Sequence, residues 1–565
     1  GTWREFGEAV EEVALGLTCI GVEPLKTVNI LSSSRREWVI ADQAILAAGA
    51  ITVPIYPTVL APEVEYIVNN CEAEYIFVEN AEQLKKFRET KTGIKKIVLI
   101  EGGAGADSDV ITLADLRSLG KTQGDRGALQ ARIDGTKPDQ LATFVYTSGT
   151  TGFPKGVMQT HGNHVATCKA AIEMKLAGPD DRDMLFLPLA HSFARMEEFA
   201  AIALGMETAF ARGIDTVAAD LQETKPTVVY SVPRIYEKIY AKILAGAEAG
   251  SPLKKKIFDW AVSVGKEISA AKQANPKSPR IGGLLKLKGA IATKLVFGKL
   301  QTIVGGRLRY FVSGGAPLSR EIAEFFHAAG IQILEGYGLT ETCPALTFNR
   351  LDNYKFGTVG QPIPGVEVKI AEDGEILGKG PNISLGYYKR EPETKEVYLE
   401  GGWFATGDIG EFDKDGFLRI TDRKKDLFKT SAGKYIAPQK IENLLKTEKH
   451  ISQAMATGDN KNYITALITL DEDAMKEWCK AEGRPWEGVA KLVGDPKLIE
   501  TLQKEIENTN TKLASYETVK KFRIAPKDFS VEGGELTPTL KVKRKVVVKM
   551  YQDLIDSMYA EGKKG

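Results

Sequence analysis

Leu141-Ala142-Thr143-Phe144-Val145-Tyr146 runs directly into Thr147-Ser148-Gly149-Thr150-Thr151-Gly152-Phe153-Pro154-Lys155-Gly156, and the fold is read outward from this stretch. The first six residues are mostly apolar and read as a strand. The ten that follow hold four hydroxyls, three glycines and a lysine. Glycines let the backbone turn its N–H groups towards an anion, while hydroxyls and lysine add donors and charge. Such a loop predicts a polyphosphate ligand. It is not the Gly-x-x-x-x-Gly-Lys-Ser/Thr phosphate loop, because Gly149 and Gly152 stand too close together and Gly156 follows Lys155. The run Gly374-Glu375-Ile376-Leu377-Gly378-Lys379 is one residue short of that motif. Neither a Gly-x-Gly-x-x-Gly dinucleotide fingerprint nor a Gly-x-Ser-x-Gly hydrolase elbow occurs.

Outward from the loop, up to about residue 420, short apolar runs alternate with amphipathic helical stretches. Val28–Leu31, Tyr75–Val78, Lys96–Ile100 and Thr227–Tyr230 are such runs, and near-continuous apolar strands predict parallel sheets covered on both faces. After about residue 360 the texture turns to hairpins, with Asp373-Gly374 and Asp415-Gly416 as turn signals. The charged run Asp422-Arg423-Lys424-Lys425-Asp426 is a poor core segment and predicts a solvated linker. The fold class expected is α/β. A large N-terminal domain (1–421) would hold parallel-rich sheets flanked by helices plus a β-barrel-like part. A hinge (422–426) would lead to a small mobile α+β C-terminal domain (427–565).

The chain has 565 residues, 43% hydrophobic and 26% charged, which suits a globular protein of more than one domain. Its formal charge of +1 gives no bulk support to a nucleic-acid partner. Cys19, Cys71, Cys168, Cys343 and Cys479 show no CxxC spacing and no disulfide framework, which fits a reducing, cytoplasmic compartment. No stretch reaches the roughly 18 apolar residues of a membrane span. Residues 251–309 carry thirteen Lys or Arg against Asp259 and Glu267 alone, interleaved with Leu, Ile, Val, Phe and Trp. This reads either as a helical excursion with a solvated basic face or as a surface for peripheral contact with anionic membrane on its inner face.

The phosphate-loop stretch closely resembles the signature of the adenylate-forming superfamily. Further matches follow in the family's order. They are Leu187-Pro188-Leu189-Ala190-His191-Ser192-Phe193, Ser313-Gly314-Gly315-Ala316-Pro317, Glu335-Gly336-Tyr337-Gly338-Leu339-Thr340-Glu341, Gly402-Trp403-Phe404-Ala405-Thr406-Gly407-Asp408 and Asp422–Asp426. Val232-Pro233-Arg234-Ile235-Tyr236-Glu237-Lys238-Ile239, the basic segment and Leu536-Thr537-Pro538-Thr539-Leu540-Lys541 resemble the long-chain acyl-CoA synthetase branch. The resemblance implies a two-step reaction. A long-chain fatty acid carboxylate would attack the α-phosphate of magnesium-bound ATP, and coenzyme A would then take the acyl group from the adenylate. Relatives that pass the acyl group to a carrier protein, and an inactive lipid-binding relative, are the alternatives.

Residue roles follow from the same resemblance. Thr147, Ser148, Gly149, Thr150, Thr151, Gly152 and Lys155 match the loop that holds the β- and γ-phosphates, and Thr147 and Glu341 the magnesium contacts. Gly315, Ala316 and Pro317, with Gly336, Tyr337 and Gly338, match the adenine slot, and Glu335 and Thr340 in the same motif count among the ATP- and AMP-binding residues. Asp408 matches the acceptor of the ribose hydroxyls and Arg423 the cation beside it. His191 would stand where acyl tunnel, adenylate and thiol entry meet, whereas a lone His among Leu187, Leu189 and Phe193 ordinarily packs in a core. Tyr236 matches a bulky aromatic gate over the acyl tunnel, with plain helix packing as the other reading. Gly433 would lie beside the pantetheine arm, and Asp422 would be the hinge. The family's C-terminal catalytic lysine is usually preceded by Gly. Here Leu540 precedes Lys541, and spacing to Arg544 favours Lys541 over Lys543 and Lys545. His161, His164, His327 and His450 have no partner pattern and read as structural or surface residues, and Cys343 is not expected to be an activated thiol. Oligomeric state is not legible.

Overall fold

The computed structural model describes residues 1–147, 153–431, 434–537 and 541–560. Ser148, Gly149, Thr150, Thr151, Gly152 and Gly433 lie outside the described residues. Seven strands, β1 (Thr27–Leu31), β2 (Ile51–Ile55), β3 (Tyr75–Val78), β4 (Lys96–Leu99), β5 (Val110–Thr112), β6 (Leu141–Thr147) and β7 (Lys155–Thr160), form a sheet in the order β5-β4-β3-β1-β2-β6-β7. All pairings are parallel except β6 with β7. β1, β2 and β3 are buried at every position. Helices cover both faces of a parallel sheet, so such strands are mostly apolar, and a polar side chain there needs a buried partner, as Thr27 finds in Cys71 O at 2.8 Å and Asn29 in Val53 O at 3.2 Å.

The second sheet takes β8 (Arg182–Leu185), β9 (Glu207–Phe210), β10 (Val228–Ser231), β11 (Tyr310–Ser313), β12 (Gln332–Tyr337), β13 (Thr347–Phe348) and β14 (Gln361–Pro362) in the order β14-β13-β12-β11-β10-β8-β9. Its strands from β12 to β9 run parallel, while β13 and β14 are antiparallel. One apolar cluster joins the two sheets, from Val28, Ile30 and Phe77 through Trp38 to Leu185, Phe311 and Leu334. The chain leaves β6 at Thr147, β10 at Ser231, β11 at Ser313 and β12 at Tyr337. All four exits are carboxyl ends of strands with parallel neighbours, where open α/β sheets bind ligands.

A third, antiparallel sheet holds β15 (Glu367–Ile370), β16 (Glu375–Lys379), β17 (Phe404–Phe412) and β18 (Leu418–Arg423). Gly374 and Gly416 turn its predicted hairpins with positive φ. β18 continues through Asp422, which pairs with Ile409 and is only 2% exposed. This corrects the expectation of a solvated pivot at that residue. The strand keeps its ladder two residues further than the charge run suggests, and only Lys424 and Lys425 are exposed. Burial pushes the Asp422 carboxyl up to about 7, with Asp426 and Glu442 adding to the effect.

Beyond the third sheet lie a two-stranded ladder, β19 (Phe428–Lys429) with β20 (Tyr435–Ile436), and a three-stranded sheet of β21 (Ile451–Thr457), β22 (Ile464–Leu470) and β23 (Val519–Ile524). These strands and their helices pack a separate apolar cluster that includes Ile441, Ile451, Ile464, Leu498 and Phe522. The fold class read from the sequence is therefore the one observed. The basic segment is helical, over Pro252–Ala274, Gly283–Ala292 and Gly298–Ile303.

Inside the first domain, Arg195 is fully buried. Its guanidinium donates to both oxygens of Asp42 at 2.8 Å and to Thr143 Oγ1 at 3.0 Å, and lies 5.5 Å from the Trp38 ring centroid. Removing one partner strands a buried charge, which costs about 3–5 kcal/mol, whereas replacing both is far milder. Arg195→Met should lower the unfolding free energy of the first domain, read by urea denaturation, by that order, and the double variant Arg195→Met with Asp42→Leu should recover most of it.

Candidate active site

Thr147 ends β6 and Lys155 opens β7, and the two are paired across the hairpin that encloses the phosphate loop. The Lys155 ammonium lies 4.8 Å from the centroid of the Tyr387 ring. The Tyr387 hydroxyl donates to Glu341 Oε1 at 2.6 Å. Glu341 sits on the helical turn Thr340–Thr342 that follows β12. The backbone of that turn is held by Gln159, whose amide donates to the Thr340 carbonyl at 2.6 Å, and by Ser384 N, which donates to the Glu341 carbonyl at 2.9 Å.

After β11, Gly315, Ala316 and Pro317 are exposed and leave an open slot. Gly315 has φ +79°, which favours glycine. The opposite wall is β12. A Cβ on Gly338 would stand 1.7 Å from the Pro344 carbonyl oxygen, so no other residue fits that turn. The Tyr337 hydroxyl donates to Asp408 Oδ2 at 2.7 Å, and Arg423 Nε donates to Asp408 Oδ1 at 3.3 Å. Asp408 and Arg423 are direct cross-strand partners on β17 and β18. Burial raises the Asp408 carboxyl while Arg423 opposes the rise. Glu335 is buried one strand position before Gly336, and burial pushes its carboxyl up to about 8, so it is neutral at pH 7.

His191 caps the helix Ser192–Leu204, its Nδ1 accepting from Phe193 N at 3.1 Å. An N–H donor on Nδ1 places the imidazole proton on Nε2. Burial, aided by the charge of Lys541, pushes the His191 pKa down to about 3. His191 is therefore a neutral hydrogen-bond donor at physiological pH. The other histidines serve packing: His327 lies between Ser269 and Tyr354, and His450 contacts Glu505. Tyr236 is fully buried, with its hydroxyl donating to the Val312 carbonyl at 2.9 Å and its ring against Phe311 and Phe326. It is a core residue as packed, and opening it as a gate requires breaking that bond and both ring contacts.

Lys541 reaches this group from the far end of the chain. Thr537 N donates to the Lys541 carbonyl at 2.8 Å, and Lys541 N to Thr537 Oγ1 at 3.1 Å, which ties Lys541 to Thr537. Burial pushes the Lys541 ammonium down to about 8; Arg423 adds to the fall, while Asp408 and Glu341 oppose it. Lys543 instead bears on Glu63, and Lys545 is exposed. The tail comes within reach because its domain is docked on the helix Pro233–Glu248 and its neighbours. Arg234 donates to Ser452 O and Oγ at 2.9 and 2.6 Å, and Lys449 pairs with Glu248 and Lys512 with Glu321. Tyr387, Gln159 and Arg195 carry no motif spacing, and only their three-dimensional neighbours mark them; Arg234 lies in a quoted motif, but its docking contact with Ser452 shows only in the structure.

Comparison with known proteins agrees with this arrangement. Residues 1–388 match the model of the AMP-binding enzyme family, and residues 425–563 that of the AMP-binding enzyme C-terminal domain. The chain belongs to this family of adenylate-forming enzymes. Within it, the chain is 38% identical to the long-chain-fatty-acid–CoA ligase FadD15 of Mycobacterium bovis, over 99% of this chain and 92% of the relative. It is 34% identical to the peroxisomal long chain acyl-CoA synthetase 7 of Arabidopsis thaliana, over 99% of this chain and 82% of the relative. These relatives place it in the long-chain acyl-CoA ligase branch. At the level of fold alone, it matches the adenylation domain of a carboxylate reductase from Mycobacterium chelonae, with a TM-score of 0.76 at 20% identity over 99% of this chain and 84% of that one.

The Lys541 environment makes a pH prediction. Its ammonium should titrate near 8, well below the ordinary lysine range, in the free protein. Asp408→Asn removes a stabilising anion and should lower the value further. Bound ATP adds negative charge and should raise it. Carbon-13 NMR of methylated lysines, compared with the same spectra of Lys541→Arg, reads all three.

Proposed function

We propose that this chain is an AMP-forming long-chain fatty acid:CoA ligase. The observation that carries the reading is the convergence of Lys541, from the C-terminal domain, on Asp408, Glu341, His191 and Arg423 of the first domain. In the first step a carboxylate oxygen attacks the α-phosphorus of ATP and pyrophosphate leaves. The nucleophile is already an anion, so the step needs charge neutralisation and in-line placement rather than a strong base. Lys541 supplies a cation at the α-phosphate. Lys155 and the hydroxyls of the phosphate loop receive the β- and γ-phosphates, Tyr337 flanks the adenine, and Asp408 accepts from the ribose. His191, as an Nε2–H donor, orients the acyl carboxylate and is not the base that takes a proton.

Glu341 and Thr147 offer a carboxylate and a hydroxyl, the hard oxygen donors that magnesium prefers. Among the described residues no group of three or more His, Cys, Asp or Glu is placed to hold a metal. The donor set therefore fits an ion that arrives with ATP and takes its other ligands from phosphate and water. When bound, magnesium supplies neutralisation of phosphate charge.

In the second step the coenzyme A thiolate attacks the acyl carbonyl and AMP leaves. Thiol entry and pyrophosphate exit call for different closed geometries, so residues 427–565 turn about 422–426 between the steps. Within that run the ladder ends at Arg423, and the exposed Lys424 and Lys425 suit a change of backbone dihedrals. Purified protein with ATP, magnesium and palmitate should give palmitoyl-CoA when coenzyme A is present. Adenylate without thioester would indicate delivery to a carrier protein, and neither product a lipid-binding relative. Lys541→Ala should slow adenylation by roughly 10²–10³, like the loss of one oxyanion donor, and Arg234→Ala should slow it less. Both should keep thioester formation from supplied acyl-adenylate.

Among the described residues no helix is long and apolar enough to cross a membrane. On the basic helices, Leu253, Leu284 and Leu287 are exposed at 67%, 69% and 60%, beside Lys254, Lys286 and Lys288. Exposed leucines among lysines suit insertion into the headgroup layer of an anionic membrane, where each cation contributes about 1 kcal/mol. Neutral substitution of Lys254, Lys255, Lys286 and Lys288 should weaken binding to anionic vesicles at low salt and spare activity on detergent-solubilised palmitate. Unchanged vesicle binding by the variant would remove the membrane role.

A further inference from the structure

Residues 384–388 lie along β7 as one more short antiparallel segment of the first sheet. Leu385 N donates to Met158 O at 3.0 Å, Met158 N to Gly386 O at 2.9 Å, and Tyr388 N to Gly156 O at 2.8 Å, with Tyr387 bridged to Val157. The segment therefore clamps the strand that leaves the phosphate loop. It also holds the turn after β12, because Ser384 N donates to the Glu341 carbonyl. Tyr387 sits between these two grips. Its ring is buried, edge-on to Tyr398 at 6.0 Å, and Tyr398 is itself hydrogen-bonded to Ser384 Oγ at 2.5 Å. One face of the Tyr387 ring meets the Lys155 ammonium, and its hydroxyl meets Glu341 Oε1.

We propose that Tyr387 is a positioning residue of the adenylation site, setting the distance between the Glu341 carboxylate and the Lys155 ammonium and so the seat of the ATP triphosphate. The proposal rests on the nucleotide-binding reading above. Glutamate and lysine side chains have many rotamers, and ordering them on binding is costly. A phenol donor on Oε1 orients the carboxylate and leaves Oε2 for a cation. A ring face under the ammonium restrains it without neutralising it, since a cation–π contact holds the charge in place. One rigid side chain thus relates two groups that come from opposite sides of the nucleotide, one after β6 and one after β12.

Tyr387→Phe removes the hydroxyl and keeps the ring, while Tyr387→Leu removes both. The readout is the affinity for ATP by calorimetry, measured with magnesium and with EDTA. Tyr387→Phe should weaken ATP binding about tenfold with magnesium and leave binding in EDTA within twofold. Tyr387→Leu should weaken both. In steady state Tyr387→Phe should raise the KM for ATP, and thioester formation from supplied palmitoyl-adenylate should be unchanged, because that step uses no triphosphate. Equal ATP affinity of Tyr387→Phe and parent with magnesium would overturn the proposal. So would a Tyr387→Phe protein with lowered melting temperature and both half-reactions reduced alike, which is the signature of mere packing. A parent protein that binds ATP in a magnesium-dependent way but makes no adenylate would sink the ligase reading and leave the binding comparison standing.

Discussion

The site depends on holding a cation where it is poorly solvated. Lys541 is pushed down to about 8 by burial and by Arg423, against the pull of Asp408 and Glu341. Keeping it charged at neutral pH costs on the order of a few kcal/mol. That cost falls when a polyphosphate enters, because the anion supplies the missing counter-charge. On the function proposed above, a cation short of counter-charge favours ATP, and bound ATP in turn favours the docked position of the C-terminal domain. Once pyrophosphate leaves, the same cation loses part of its reason to stay. On that reading, Lys541 links nucleotide occupancy to domain posture.

Docking itself rests on modest contacts. Arg234 to Ser452 is the best-formed of them, and the lysine–glutamate pairs at Lys449 and Lys512 are at the surface, where such pairs contribute little. The two domains keep separate apolar clusters. A weak polar interface between two self-sufficient cores is what a moving domain requires, since a large apolar interface would lock it.

The interior of the first domain is tied together by buried charges instead. The helix that His191 caps carries Arg195, Glu197 and Glu198, all buried. Arg195 ties that helix to Asp42 and Thr143, and hence to the helix after β1 and to the strand that leads into the phosphate loop. Burial pushes the carboxyls of Asp183 and Glu197 up, so that pair holds a proton and its repulsion is relieved. Such a network sets the helix in one register relative to both sheets. His191, at its first turn, is placed by charges that it does not touch.

Much of the molecule was legible in the chain because its determinants are local. Parallel strands buried on both faces show as unbroken apolar runs, hairpins as Asp-Gly, and the nucleotide site as six ordered motifs dense in glycine and hydroxyls. The resemblance to the adenylate-forming family also brought out Glu341, Asp408 and Lys541, with spacing to Arg544 choosing Lys541 among the tail lysines. Asp422 was misread as solvated because a charged run looks the same on an edge strand as in a linker, and only the ladder with β17 shows that it is buried. Tyr236 was left between gate and core, and its bond to Val312, 76 residues away, puts it in the core. Tyr387 and Glu341 are 46 residues apart, and Arg195 and Asp42 are 153 apart. Such pairs leave no periodicity and no spacing to read. Their energies depend on distance and desolvation, and those exist only once the sheets have brought the partners together.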